Sequence, residues 1–462
     1  MRGRPEVCSL LHRFQMDGLR MVLDVASGAL HVVDETAWFL LERLEQGLPL
    51  ADAARRARAA GFPGVGVAEA VAEIQGLVEE GRLCSPDPAG PGYGPPVRPL
   101  RALCLHLAHD CNLRCAYCFA GQGNYHGSRS LMSFEVGQGA IDFLIAASGS
   151  YNQVEVDFFG GEPLLNFDVL RRLVRYGREV QAVSGKRIAF TVTTNGVLLD
   201  ETVAAFLDRE RVGVVLSLDG RPAVHDAVRK TPAGGGSYAL VAARMRRFAA
   251  GRNNWNCYVR GTYTRYNTDF SRDFEHLAGL GFDAVSLEPV VAAPNEPYAL
   301  REGDYPALAV EYERLARLLA GGGYEGVRFF HFDLHLDDGP CLSRRVSGCG
   351  AGTEYLAVDP AGDLYPCHQF VGRPEFRMGT VVGGVTRVDL AERFRASHVL
   401  AKTACSGCWA RYLCSGGCHA NNLAATGEIG KPGALYCLVV RKRIECALFL
   451  QAQAARRVRA AG

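Results

Sequence analysis

The sequence has no apolar run long enough to cross a bilayer. Its opening residues, Met1-Arg-Gly-Arg-Pro-Glu6, are not followed by the apolar core that marks an export signal. Charge of one sign is missing too. Lys plus Arg total 51 against 49 Asp plus Glu, a net of +2, so no global field selects nucleic acid or an anionic membrane. These absences lead to the expectation of a cytoplasmic protein with neither a nucleic-acid nor a membrane partner. Cysteine, by contrast, is plentiful. Sixteen cysteines among 462 residues, in a reducing compartment, argue for metal or cluster ligation and against a disulfide scaffold. The length accommodates about three domains.

Residues 1–84 form the first expected unit. Short strands are expected at Leu10–Phe14, Leu19–Val25 and Ala29–Val33, with turns at Asp17-Gly18 and Ser27-Gly28. Asp34 reads as the N-cap of a helix carrying Trp38, Leu41 and Leu44. A second helix is expected over Leu50–Ala60. Val67, Val71, Ile74 and Val78 recur at helical spacing and make a third. Three strands and three helices in this order resemble the winged-helix-like element that recognises the leader of a ribosomally made precursor peptide. Such a peptide would add a strand to the exposed sheet edge. The rival is a DNA-binding winged helix. These residues hold nine Arg, no Lys and twelve Asp plus Glu, a net of −3, and a DNA reader needs a basic face. Cys8 and Cys84 read as ordinary thiols. Residues 85–99, with six prolines and three glycines, read as a semi-rigid linker without a core.

Beyond the linker, Cys111-Asn-Leu-Arg-Cys115-Ala-Tyr-Cys118 sets three cysteines at C-x3-C-x2-C on a loop after the apolar run Ala102–Leu107. A [4Fe–4S] cluster is commonly held by four thiolates. Three thiolates leave one iron open to a small molecule. The spacing, with aromatic Tyr117 before the last cysteine, resembles the radical S-adenosylmethionine (radical SAM) superfamily. The resemblance implies that Cys111, Cys115 and Cys118 carry the catalytic cluster. It also implies that the open iron chelates SAM, and that reductive cleavage yields a 5′-deoxyadenosyl radical. A zinc site or three unrelated thiols is the alternative.

From 100 to about 310, strands alternate with amphipathic helices. Strand candidates are Ala102–Leu107, Val154–Phe159, Ile188–Thr193, Val212–Leu218, Tyr258–Thr264 and Ala284–Val290. Helix candidates include Ser133–Ala147, Asp168–Val183 and Tyr238–Ala249. Alternating βα units imply a parallel sheet with right-handed crossovers. Six of them fit the partial (β/α)6 TIM-like radical SAM barrel, an α/β fold with its chemistry at the C-terminal strand ends. Gly160-Gly161-Glu162-Pro163 then resembles the family's GGEP motif, which holds the amino group of SAM. By the same resemblance Thr194, Asn195, Ser217 and Asp219 face SAM or substrate. Arg229, in an H-D-x-x-R segment starting at His225, partners the SAM carboxylate. Glu288 either faces the same cavity or caps a strand. Cys104 and Cys257 read as buried packing residues.

After a connecting segment, 311–340, the cysteines resume over 341–462. Cys349-x12-Gly362-x4-Cys367 is followed by Cys405-x2-Cys408-x5-Cys414-x3-Cys418 and then Cys437. This array resembles the SPASM extension of radical SAM peptide maturases. The resemblance implies two auxiliary [4Fe–4S] clusters, one on Cys349, Cys367 and Cys418, the other on Cys405, Cys408, Cys414 and Cys437. With the SAM-binding cluster this makes three. A zinc ribbon would use only some of these residues. Cys341, eight residues before Cys349, completes the first auxiliary cluster or leaves an open iron there; the reading leans to ligation. Cys446 falls on the last amphipathic helix and reads as packing.

Several longer segments carry a closer resemblance. They are Leu105–Ala120, Ser130-Leu-Met-Ser133, Gly350–Val358 and Tyr365-Pro-Cys-His-Gln-Phe370. Together they are similar to the maturase family of the "six cysteines in forty-five residues" precursor. The implied activity is intrapeptide thioether formation on a cysteine-rich precursor peptide, with an external electron donor such as flavodoxin or ferredoxin. One alternative is a sulfatase-type maturase making formylglycine, but relatives of that kind place Asp directly after the position of Cys367, where this chain has His368. Another is the maturase of quinohemoprotein amine dehydrogenase. The non-enzymatic alternative is an iron–sulfur peptide-binding scaffold.

Overall fold

The protein is described from a computed structural model covering residues 10–90, 92–252, 256–336 and 341–461. Cys8 lies outside the described residues. The chain opens with strands β1 (Leu11–Met16), β2 (Leu19–Asp24) and β3 (Leu30–Val33), an antiparallel sheet in the order β1-β2-β3. Asp17 and Gly18 take φ of 47° and 76°, the double left-handed conformation of a type I′ hairpin. Period-two alternation then divides the side chains. Phe14, Met16, Met21 and Leu23 point into the main core, whereas Val22 packs with Leu40, Leu41, Ala53, Val67 and Ile74 in a small core of its own. That small core is roofed by helices α1 (Glu35–Glu45), α2 (Leu50–Ala59) and α3 (Gly64–Glu79). Asp34 caps α1, its carboxylate accepting from Ala37 N at 2.7 Å.

Residues 85–99 are strapped down rather than free. Ser85 N donates to Asp24 Oδ2 at 2.9 Å. Asp87 accepts from Arg411 Nη2 at 2.6 Å and from the Tyr412 hydroxyl. Arg395 Nη1 donates to Pro95 O at 3.1 Å. The segment has no core, yet polar contacts to the far end of the chain hold it. Cys84 is disulfide-bonded, which corrects its reading as an ordinary thiol; a crosslink set by chain geometry is not visible in spacing.

The remaining strands are β4 (Ala102–Ala108), β5 (Arg114–Cys115), β6 (Gln153–Gly160), β7 (Arg187–Thr194), β8 (Gly213–Ser217), β9 (Arg229–Lys230), β10 (Cys257–Tyr263), β11 (Ala284–Pro289), β12 (Arg328–Phe329), β13 (Tyr355–Val358), β14 (Asp363–Tyr365), β15 (Gly379–Thr380) and β16 (Gly384–Val385). Except for the isolated pair β5–β9, they form one eleven-stranded sheet in the order β12-β11-β10-β8-β7-β6-β4-β13-β14-β15-β16. The six expected barrel strands lie in sequence within it, all parallel. Their outward faces, such as Val154, Val156 and Phe158 of β6, are fully buried beneath helices such as Phe134–Ala147 and Phe167–Ser184.

One feature goes beyond the expected six-strand barrel. β13, from the cysteine-rich C-terminal region, pairs in parallel with β4, from Tyr355 opposite Ala102 to Val358 opposite Leu105. All seven residues of β4 are buried. An uncovered edge on such a strand would leave its backbone groups without partners. β13 supplies the partners and carries the following residues, including Cys367, to the barrel mouth. Among the described residues no helix is long and apolar enough to cross a membrane.

The strap over 85–99 can be tested. Asp87→Ala leaves the Arg411 side chain, 6% exposed, without its counter-ion, and should cost about 2 kcal/mol in urea unfolding. Removing the exposed Asp52–Arg55 pair should cost well under 1 kcal/mol.

Candidate active site

A cleft opens at the C-terminal ends of the barrel strands. Its wall includes Cys111, Cys115, Tyr117 and Cys118 from the loop after β4, Gly160 and Gly161 after β6, and Thr194 and Asn195 after β7, with Ser217 and Arg229 beside them. The expected residues Glu162, Pro163 and Asp219 are buried behind this wall. The cysteine loop is pinned by the short β5–β9 ladder, in which Cys115 lies opposite Arg229. It can approach β6 because Gly160 and Gly161 carry no side chain. A Cβ on Gly160 would lie 2.3 Å from Ala108 O, and one on Gly161 2.2 Å from Asp110 O.

Two buried carboxylates set the wall. Glu162 accepts from Leu164 N at 3.0 Å, Thr194 Oγ1 at 2.8 Å and Asn195 N at 2.8 Å. Burial pushes its carboxyl up to about 7, against these three hydrogen bonds. Its side chain braces the end of β7, while the glycines before it face the cleft. Asp219 is fully buried. It takes a bidentate contact from Arg229, Nε to Oδ2 at 2.9 Å and Nη2 to Oδ1 at 3.1 Å. It also accepts from the Tyr117 hydroxyl at 2.5 Å and Thr262 N at 3.0 Å. Arg229, expected to partner a SAM carboxylate, lines the cleft while two of its N–H groups are held by Asp219. Asp219 braces it from behind the wall.

Missed in the sequence were Arg260 and Thr262, alternate residues of β10 whose inward face reaches the cleft, and Phe119, Phe159 and His368 in its wall. Period two along β10 could have signalled the first pair. Arg260 is exposed and makes no ion pair among the described residues. Glu288 reaches the cleft too, with His331 Nε2 at 3.4 Å and Arg443 Nη1 at 3.6 Å. The His368 ring sits 4.8 Å from Phe159, its Nδ1 3.2 Å from the Tyr355 hydroxyl. Burial, with Arg260 nearby, pushes it down to about 3, so it is neutral.

Burial, with Glu162 next in effect, pushes Cys111 up to about 12. Cys115 is raised to about 11, again chiefly by burial. Such thiols keep their protons until a metal displaces them. Three cysteine thiols lining one cleft, Cys111, Cys115 and Cys118, are a donor set that fits an iron–sulfur cluster.

The C-terminal cysteines fall into two neighbourhoods. Cys405, Cys408, Cys414 and Cys437 line one small cavity. Cys367, buried and raised first by that burial, feels Cys418 and Cys349 as neighbours. Cys341 and Cys349 are both exposed. The Cys341 Sγ lies 3.5 Å from Arg98 Nη2, and the backbone of Arg344 with Arg98 holds its thiol below the usual range. Cys104 and Cys446 are buried in the core.

Residues 90–239 match a family model described as a 4Fe-4S single cluster domain. Mycofactocin maturase MftC of Mycobacterium ulcerans is 29% identical over 331 residues, covering 69% of this chain and 83% of that protein. The cysteine-type anaerobic sulfatase-maturating enzyme of Clostridium perfringens is 25% identical over 343 residues, covering 70% and 89%. Among solved structures, anSMEcpe with bound AdoMet superposes with a TM-score of 0.65 at 21% identity, over 78% of this chain and 100% of that one. Streptococcus suis SuiB bound to S-adenosylmethionine gives 0.54 at 16%, over 93% and 99%. The chain is thus similar over more than two thirds of its length to these maturases and shares the fold of the AdoMet-bound neighbours.

The Asp219 brace yields a prediction. Asp219→Ala leaves Arg229 buried without its counter-ion and should cost about 3 kcal/mol of stability, read from urea unfolding.

Proposed function

We propose that this chain installs intrapeptide thioether crosslinks in a ribosomally made, cysteine-rich precursor peptide. The observation that carries the reading is the position of His368 and Gln369 in the cleft wall, directly after Cys367. A thiol presented in the cleft would then lie near an auxiliary cysteine set. In this reading Cys111, Cys115 and Cys118 hold the SAM-binding cluster. Cys349, Cys367 and Cys418 hold one auxiliary cluster, and Cys405, Cys408, Cys414 and Cys437 the other. The small N-terminal sheet receives the leader, since the strand order leaves one edge each of β1 and β3 unpaired within it. A flavodoxin- or ferredoxin-like protein is the external donor, and the setting is cytoplasmic. Structures of similar fold, Streptococcus suis SuiB bound to precursor peptide SuiA and anSMEcpe with bound AdoMet and Kp18Cys peptide, support a peptide substrate.

When bound, the clusters and SAM supply the radical and take up the remaining electron. Around them the residues of the chain position and exclude water. Each event removes one hydrogen from an acceptor carbon and one proton from a cysteine thiol, and joins sulfur to carbon. The alternative is formylglycine formation, which the sulfatase-maturating relatives favour. The presence of His368 rather than Asp after Cys367 counts against it.

Anaerobic incubation of the reconstituted enzyme with SAM, reductant and a cysteine-rich precursor decides between them. A loss of two hydrogens per event, one alkylatable cysteine consumed and no disulfide formed, is expected. A reactive aldehyde would instead establish formylglycine. Replacing Cys111, Cys115 and Cys118 together by Ala should abolish 5′-deoxyadenosine release. Replacing Cys405 and Cys408 should leave some of that release while the crosslinked product disappears.

A further inference from the structure

Between the two auxiliary cysteine neighbourhoods lies a buried cation with no counter-ion. Lys402 is only 3% exposed. Its Nζ donates to Gly416 O at 2.7 Å, in the turn joining Cys414 to Cys418. No carboxylate pairs with it among the described residues. Lysine is almost never fully buried unless paired, and one neutral carbonyl is a poor substitute for a charge. Burial lowers the pKa of the Lys402 ammonium group, and thiols of both sets oppose that: Cys405 and Cys414 from one, Cys418 and Cys349 from the other; His398 and His419 also lie within its field. Cys437 feels it as well. The cavity lined by Cys405, Cys408, Cys414 and Cys437 also contains Gly416, the residue that anchors the ammonium group.

We infer that Lys402 is the shared counter-cation of both auxiliary clusters, a positioning residue whose charge raises the reduction potentials of the two together. The inference rests on the cluster assignment proposed above. A cluster on thiolates is anionic and gains a further negative charge on reduction. A fixed positive charge at short range, away from water, favours the reduced form of each. Two centres that share one cation are also coupled, because reducing one lowers the benefit left to the other. This gives Lys402 a role that a hydrogen bond to Gly416 alone would not.

The test is potentiometric and needs no peptide. Reconstituted wild-type enzyme, Lys402→Met, Lys402→Gln and Lys402→Arg would be titrated anaerobically, with iron content and the EPR signals of the reduced clusters followed. The SAM-binding cluster serves as internal reference. In the Met and Gln variants the midpoint potentials of both auxiliary clusters should shift negative while that of the SAM-binding cluster stays put. Arg should restore them. Unshifted auxiliary potentials, or a shift in only one cluster, would overturn the inference. If the Met variant fails to take up auxiliary iron, Gln and Arg decide. Iron retained with Arg and lost with Gln supports the charge; iron kept by both without a potential difference, or lost by both, refutes it. Failure of the thioether reading alone would leave these potentials untouched, so the two failures are distinguishable.

Discussion

The Asp219 carboxylate is the contact on which the cleft depends. It has no solvent exposure, yet it gathers Tyr117 from the cysteine loop, Arg229 from β9 and Thr262 from β10. Three segments distant in sequence thereby meet at one anion. Arg229 in turn faces Cys115 across the β5–β9 ladder, so the position of a candidate cluster thiol follows from a charge pair behind it. Glu162 does the equivalent on the other side, where its three donors tie the end of β6 to the end of β7. A buried carboxylate left short of donors would be costly. Saturated with donors, each fixes strand ends whose loops would otherwise be free.

The C-terminal region repeats this logic with the sign reversed. Around the cleft, anions lie behind the thiols and organise cations and hydroxyls. Around the auxiliary cysteines the buried charge is a cation, Lys402, and the anions would arrive only with the clusters. The first site is therefore largely assembled by the polypeptide alone, while the second has charge that the polypeptide leaves uncompensated. Under the cluster assignment proposed above, folding of the C-terminal region and cluster loading should thus be more closely linked than they are in the barrel.

Much of the fold was legible in the sequence because its strands are strongly marked. Parallel strands covered on both faces read as apolar runs, and all six barrel strands lie within a residue or two of the runs that announce them. Asp17-Gly18 and the Asp34 cap were legible for the same local reason. Site residues were legible as types at spacings, which is why the cysteines stood out. Which way a side chain points was not. Glu162 and Asp219 belong to motifs that suggest ligand contact, but the direction of their carboxylates depends on donors tens of residues away. Arg260 lay hidden because an arginine within a strand resembles a solvated residue until the barrel curves around it. A lone lysine three residues before Cys405 likewise gave no sign of burial. The docking of β13 on β4 joins four residues to a strand some 250 positions earlier, and nothing local marks that partnership.

That docking also bears on how the chain can be divided. A module joined by a linker can be exchanged by cutting the linker. Here the backbone hydrogen bonds of β4 continue into β13, so the cysteine-rich region is part of the same sheet as the barrel. The distance from the C-x3-C-x2-C loop to Cys367 is thereby fixed by strand register, in steps of whole residues and not by a flexible tether. A chimaera that takes its C-terminal region from a relative inherits a foreign partner for β4. One register slip of a single residue would turn every β13 side chain to the opposite face. The natural unit of exchange is therefore the barrel together with its cysteine-rich C-terminal region, while the N-terminal sheet and helices keep a small core of their own.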